Sequence, residues 1–202
     1  MTEEQYLEAL FTMLGKPACR YANPEAWAAL EGDLGVALPT DYKRIIDGYG
    51  PVKLNGHLYL KHPATKDWNL AEEMRSTAHV WSEVSWDGVD LEFDPRSSLG
   101  IPEIRFGTPD GLIYAVSTNG GGEAVFLGKG VTGRGWRIFV YLDGEFYEYD
   151  MSFSEWLYRY LIGENMTGPY SSRFIPGPVK FESLPMSAGD TPVTWYGPDR
   201  GM

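Results

Sequence analysis

The sequence predicts an α+β domain built from helices and antiparallel hairpins. Three observations point to this class. Apolar residues recur at helical spacing through roughly the first two-fifths of the chain, runs rich in β-branched and aromatic residues fill residues 104–149, and one well-capped amphipathic helix follows at 152–163. Helices first, then hairpins, then a closing helix is the order of a domain that keeps its helices apart from an antiparallel sheet.

Each element has a local reason. Thr2 followed by Gln5 forms a capping box, and Tyr6, Leu7, Leu10, Phe11 and Leu14 make the stripe of a helix that Gly15 ends. Asn23 caps a second helix, with Pro24 at its first position, where a missing N–H costs nothing. Trp27, Leu30 and Leu34 share one face of it, and Gly35 allows the turn. Pro39 starts a third helix with Asp41 in its first turn, where a carboxylate meets the positive end of the dipole. Leu38, Tyr42, Ile45, Ile46 and Tyr49 are its stripe, and Gly48 and Gly50 its stop.

His57 to Leu60 reads as a short strand closed by Pro63, and Trp68 to about Val84 as a longer helix with Leu70, Met74, Ala78 and Trp81 on one side. Strands are then expected at Ile104–Phe106, Leu112–Ser117, Ala124–Leu127, Trp136–Leu142 and Phe146–Tyr149. Asp143-Gly144 joins the last two, because that pair tolerates the positive φ angles of a type I′ turn. Ser152 and Glu155 cap the closing helix, Phe153, Trp156, Leu157, Tyr160 and Leu161 form its apolar face, and Gly163 ends it.

Residues 1–163 are therefore read as one domain and 164–202 as a Pro/Gly-rich C-terminal extension. Six prolines in that extension oppose regular structure, while Tyr170, Phe174, Phe181, Trp195 and Tyr196 remain as apolar handles. The expectation is extended chain wrapped over the domain surface.

The order Trp27, Leu30-Glu31, Leu34-Gly35, Leu38-Pro39-Thr40-Asp41-Tyr42, Ile45-Ile46, Gly48-Tyr49-Gly50 resembles the SMI1/KNR4 family of the SUKH superfamily. Phe106-Gly107, Asp110-Gly111, Leu112-Ile113-Tyr114 and Ser152-Phe153-Ser154-Glu155-Trp156-Leu157 continue the pattern, over roughly residues 20–163. The helix before Cys19 and the chain after Glu164 depart from it. The resemblance implies a SUKH-like fold, an antiparallel-rich mixed sheet packed with about four to five helices. It marks no catalytic residue and no cofactor. It implies an immunity-type protein that binds a bacterial toxin domain, often a nuclease or another nucleic-acid-modifying enzyme, and occludes its active site. The alternative it implies is a regulatory scaffold for host proteins, as in fungal cell-wall signalling relatives.

Composition narrows the classes independently. The net charge of −11 repels nucleic acid and anionic membranes and suits a basic protein partner. A single cysteine, Cys19, excludes an internal disulfide and a cysteine-based zinc site and fits a reducing cytoplasm. It is expected to be a partly buried thiol. The N-terminus lacks signal-peptide character, and no apolar run spans a bilayer.

Motifs for chemistry fail on context. Gly128-Lys129-Gly130-Val131-Thr132-Gly133 fits G-x-G-x-x-G, but a strand-like run follows where a phosphate-binding helix is required, so it reads as a hairpin loop. Gly120-Gly121-Gly122 fails likewise. His57, His62 and His79 lack metal-binding spacing, so no metal is expected. The densest acidic cluster, Asp87, Asp90, Glu92 and Asp94, does not fit an EF-hand loop. It is the candidate contact surface for a basic partner, extended by Glu72, Glu73 and Glu83 if the preceding helix turns them the same way.

Overall fold

A computed structural model describes residues 1–119, 123–132 and 135–201. The helices are α1 (Glu3–Leu14), α2 (Pro24–Leu34), α3 (Thr40–Tyr49), α4 (Leu70–Ser82), α5 (Pro95–Leu99) and α6 (Phe153–Leu161). The strands are β1 (Val52–Leu54), β2 (Leu58–Leu60), β3 (Leu112–Thr118), β4 (Ala124–Lys129), β5 (Trp136–Leu142), β6 (Glu145–Tyr149), β7 (Lys180–Ser183) and β8 (Thr194–Tyr196). They form one sheet in the order β6-β5-β4-β3-β2-β1-β7-β8, and every strand pair is antiparallel. The parallel part of the expected mixed sheet is confined to two single bridges, His62 with Asn69 and Phe106 with Leu112.

The expected caps are all present. Thr2 and Gln5 bond reciprocally, Asn23 accepts from Glu25 and Ala26 N–H, and Ser152 accepts from Glu155 N–H. Leu142 pairs with Glu145 across the two-residue turn, and Asp143 and Gly144 take φ of 50° and 101° as a type I′ turn requires. The glycine motif after β4 leads into β5 by a hairpin, with Lys129 opposite Trp136, so no helix N-terminus faces it. Its Gly133, and the whole of Gly120–Gly122, lie outside the described residues.

The centre of the sheet is buried on both faces. On one, Trp81 of α4 packs its ring edge-on to Phe126 (4.9 Å) and Tyr141 (4.7 Å). The alternating positions Val125, Leu127, Ile138 and Val140 are equally buried, and α1, α3 and α6 pack together with α6 against β5. Fully buried Tyr42 ties this layer to the sheet. Its hydroxyl donates to Ala115 C=O at 2.9 Å, and its ring meets Phe153 edge-on at 4.9 Å.

Several expectations change. Ile104–Phe106 makes one bridge rather than a strand. A β1 strand, a 3₁₀ turn at Leu91–Phe93 and α5 were not expected. Cys19 is exposed rather than partly buried. It sits at φ 49° in a loop whose amides turn inward to Gly48 C=O, leaving the side chain outside. The extension does more than wrap: β7 pairs with β1 and β8 with β7. Phe181 is buried against Tyr49 and stacks on Trp195 at 5.3 Å, so two of the apolar handles hold the segment in the sheet despite its prolines.

Candidate protein-binding surface

The acidic residues singled out in the sequence occupy the connection from α4 through the 3₁₀ turn to α5. Between Arg75 and Arg96 there is no lysine or arginine but five carboxylates, Glu83, Asp87, Asp90, Glu92 and Asp94. Local structure explains why acids stand here. Asp90 caps the 3₁₀ turn by accepting from Glu92 N–H at 3.0 Å. Asp94 caps α5 by accepting from Arg96 N–H at 2.9 Å, and its carboxylate also takes the Arg96 side chain at 2.6 Å. Burial pushes the Asp94 carboxyl up, but the Arg96 bonds outweigh it and hold it below the usual carboxylate range. Asp94 is thus neutralised in place, while Asp87 accepts only from Ser85 and no cation among the described residues pairs with Asp87, Asp90 or Glu92.

Glu72 and Glu73 sit elsewhere. They lie in the first turn of α4, whose other end leads to Asp87, so a helix of about 20 Å separates the two groups. Glu73 pairs with Lys61 at 2.8 Å, and both glutamates line a shallow polar cavity with Trp68 and Pro185. The structure therefore makes two acidic surfaces where the sequence suggested one.

The α4–α5 connection is anchored by aromatic rings. Trp86 stacks on Trp81 at 5.6 Å, and Phe93 meets Tyr147 at 5.2 Å. Leu91 stands 88% exposed between Asp90 and Glu92. Beside this turn, a groove of about 390 Å³ runs along β6, lined by Glu92, Phe93, Tyr147, Glu148, Tyr149 and the Asn165–Pro169 loop. Sequence reasoning missed this groove, because its walls come from three distant segments: Glu92 was read only as part of the acidic cluster, and Glu148 as an ordinary strand residue.

Two other polar sites were considered. Where the N-termini of α1, α3 and α6 converge there is a cavity of about 760 Å³. Asp41 already satisfies these amides: Oδ1 accepts from Tyr42 N–H at 2.8 Å and Oδ2 from Ser154 N–H at 2.7 Å. Burial and the Asp41 charge push the nearby Glu3 carboxyl up. The second site is His57, whose Nε2 lies 3.4 Å from Glu123 Oε2 beside a cavity shared with Arg173 and Tyr160. Burial, then the Arg173 charge, push His57 down against the pull of Glu123, so the imidazole is neutral at neutral pH. Among the described residues, no three histidine, cysteine or carboxylate side chains converge as a metal site.

Fold and surface together define an α+β domain whose distinctive chemistry is an acidic, aromatic exterior. The chain belongs to the SMI1-KNR4 cell-wall family of SUKH domains, which residues 24–157 match, two-thirds of its length. No curated protein and no solved structure matches it. No helix among the described residues is long and apolar enough to cross a membrane.

Proposed function

We propose that this protein is an immunity-type binder that neutralises a bacterial toxin domain, a nuclease or another nucleic-acid-modifying enzyme, by covering its active site. Membership of the family makes the reading available, and one observation carries it to this chain. The connection bearing Asp87, Asp90 and Glu92 presents carboxylates that have no salt-bridge partner among the described residues, around an exposed Leu91 on an aromatic base. A basic groove that expects phosphates meets negative charge there, with an apolar contact at its centre. Asp94 shapes the surface as a cap, and Glu72 and Glu73 form a second, more remote acidic contact.

The family description, which names the cell wall, favours one further reading, a regulatory scaffold that binds host proteins. Capture on the tagged protein from lysate of its source, followed by co-expression of each captured protein with and without this chain, separates the two. A basic protein that stops growth alone and not in the pair supports the immunity reading. Captured proteins that are harmless alone and belong to host regulation overturn it in favour of the scaffold.

A further inference from the structure

The free edge of β6 is built to receive another strand. Leu142 and Glu145 close a two-residue hairpin and exchange backbone hydrogen bonds, so Tyr147 and Tyr149 bond inward to β5. The N–H and C=O groups of Phe146 and Glu148 then point away from the sheet, and no backbone group among the described residues pairs with them. The edge is the floor of the 390 Å³ groove, with Glu92 and Phe93 on one wall and Asn165, Gly168 and Pro169 on the other.

The two ends of the sheet differ. The β8 edge is three residues long and lies between Pro192 and Pro198, which limits pairing there. β6 has five residues and no proline in or beside it. Its safeguard is charge. Glu145 and Glu148 lie on the strand and Asp143 and Asp150 flank it, so a second copy of this chain, net −11, is repelled. Glu148 is partly neutralised by Arg137, whereas Glu92 has no cation beside it among the described residues. Rings of Phe93, Tyr147 and Tyr149 line the same groove, and aromatic faces attract lysine and arginine side chains.

We infer that the β6 edge is a strand-addition site for an extended basic segment of a partner protein, which would pair with Phe146 and Glu148 as a ninth strand. Main-chain bonds would supply affinity and the acidic groove the choice of sequence. The inference rests on the binding reading above and gives it a location.

The test uses the whole chain and synthetic probes. An alternating lysine–valine peptide of about eight residues, the length of a long strand, is compared with the same peptide N-methylated at every backbone amide, which keeps the charge and cannot donate to a ladder. The expected result is binding of the first, with exchange of the Phe146 and Glu148 amides slowed roughly tenfold, and little effect of the second. Glu148→Pro removes an outward donor that β5 does not use, and should weaken binding roughly tenfold more than Glu148→Gln does. Retained thermal unfolding shows that the variant is folded. Equal binding of both peptides, or protection away from the edge, overturns strand addition yet leaves a charge-driven binding surface standing. Binding of neither also overturns it, and the capture experiment then judges the binding reading separately.

Discussion

Asp41 shows how much one buried side chain can organise. It is 1% exposed, and its two oxygens accept amides from the first turns of α3 and α6, which lie more than a hundred residues apart in sequence. A carboxylate bonded by amides at two positive helix ends is held by charge-assisted bonds that a neutral group reproduces only in part. Asp41→Ala should destabilise the fold by roughly 3 kcal/mol, since it strands two buried donors, and Asp41→Asn by less. Chemical denaturation of the two variants against the parent measures the difference.

His62 is the corresponding case for pH. It is fully buried, its Nε2 lies 3.0 Å from Asp47 Oδ1, and its Nδ1 accepts Ala64 N–H at 3.1 Å. That acceptor role requires a neutral ring. Burial lowers the His62 pKa from its ordinary value of 6.5, and the Asp47 contact offsets only part of this. The unfolded chain therefore binds more protons in the window below about 6.5, and stability is complete above it and falls as pH drops toward the folded value. Unfolding midpoints measured from pH 8 to pH 5 should decline, and less steeply in His62→Gln.

At the scale of elements, the C-terminal extension is held by a latch. The Arg200 guanidinium donates to Leu161 C=O at 2.8 Å, at the end of α6, and to the carbonyls of Gly177 and Ile175. No carboxylate pairs with it among the described residues, and burial alone pulls its pKa below the usual range. Arg200→Ala leaves three carbonyls without their donor and should cost about 2 kcal/mol. The loss should be local. Hydrogen exchange would quicken at β8 and little at β4, because β8 is exposed and held by β7 alone, whereas β4 is buried between β3 and β5. A uniform increase across the sheet would show instead that the extension is integral to global stability.

The helices and the last hairpin were legible for local reasons. Caps at Thr2, Asn23 and Ser152 and the Asp143-Gly144 turn act within a few residues, so the sequence states them. The short strands β1, β7 and β8 were not legible. Three or four residues carry little periodicity, and each exists because a neighbour pairs with it. Gly48 illustrates the same limit. It reads as a helix stop, yet it lies inside α3 with Gly50 as the cap, and a Cβ there would come within 2.9 Å of Pro17, so it is close packing against the α1–α2 connection that calls for glycine.

At the scale of the whole molecule, the proposed association with a basic partner would be governed by charge. With a net charge of −11, approach to a basic partner should be accelerated at low ionic strength, and the on-rate should fall roughly tenfold or more between about 50 and 500 mM salt. Neutralising Asp87, Asp90 and Glu92 together should reduce that dependence more than neutralising Glu72 and Glu73, whose surface is remote and partly paired with Lys61. Stopped-flow association of parent and variants with the captured partner reads both effects. Equal slopes for the two variants would remove the α4–α5 connection from the binding surface.

The acidic residues themselves were visible in the sequence, and so were the α+β class, the helix boundaries to within a few residues, and the family. These follow from short-range physics: periodicity, capping, turn chemistry and composition. The tertiary structure alone decided which carboxylates are free. Asp41 is held by amides of two helices more than a hundred residues apart, Glu73 pairs with Lys61, and Glu92 shares a groove with Tyr147 and Asn165. Charge acts through space, so its partners are set by how the chain folds back on itself, and sequence spacing does not record that distance.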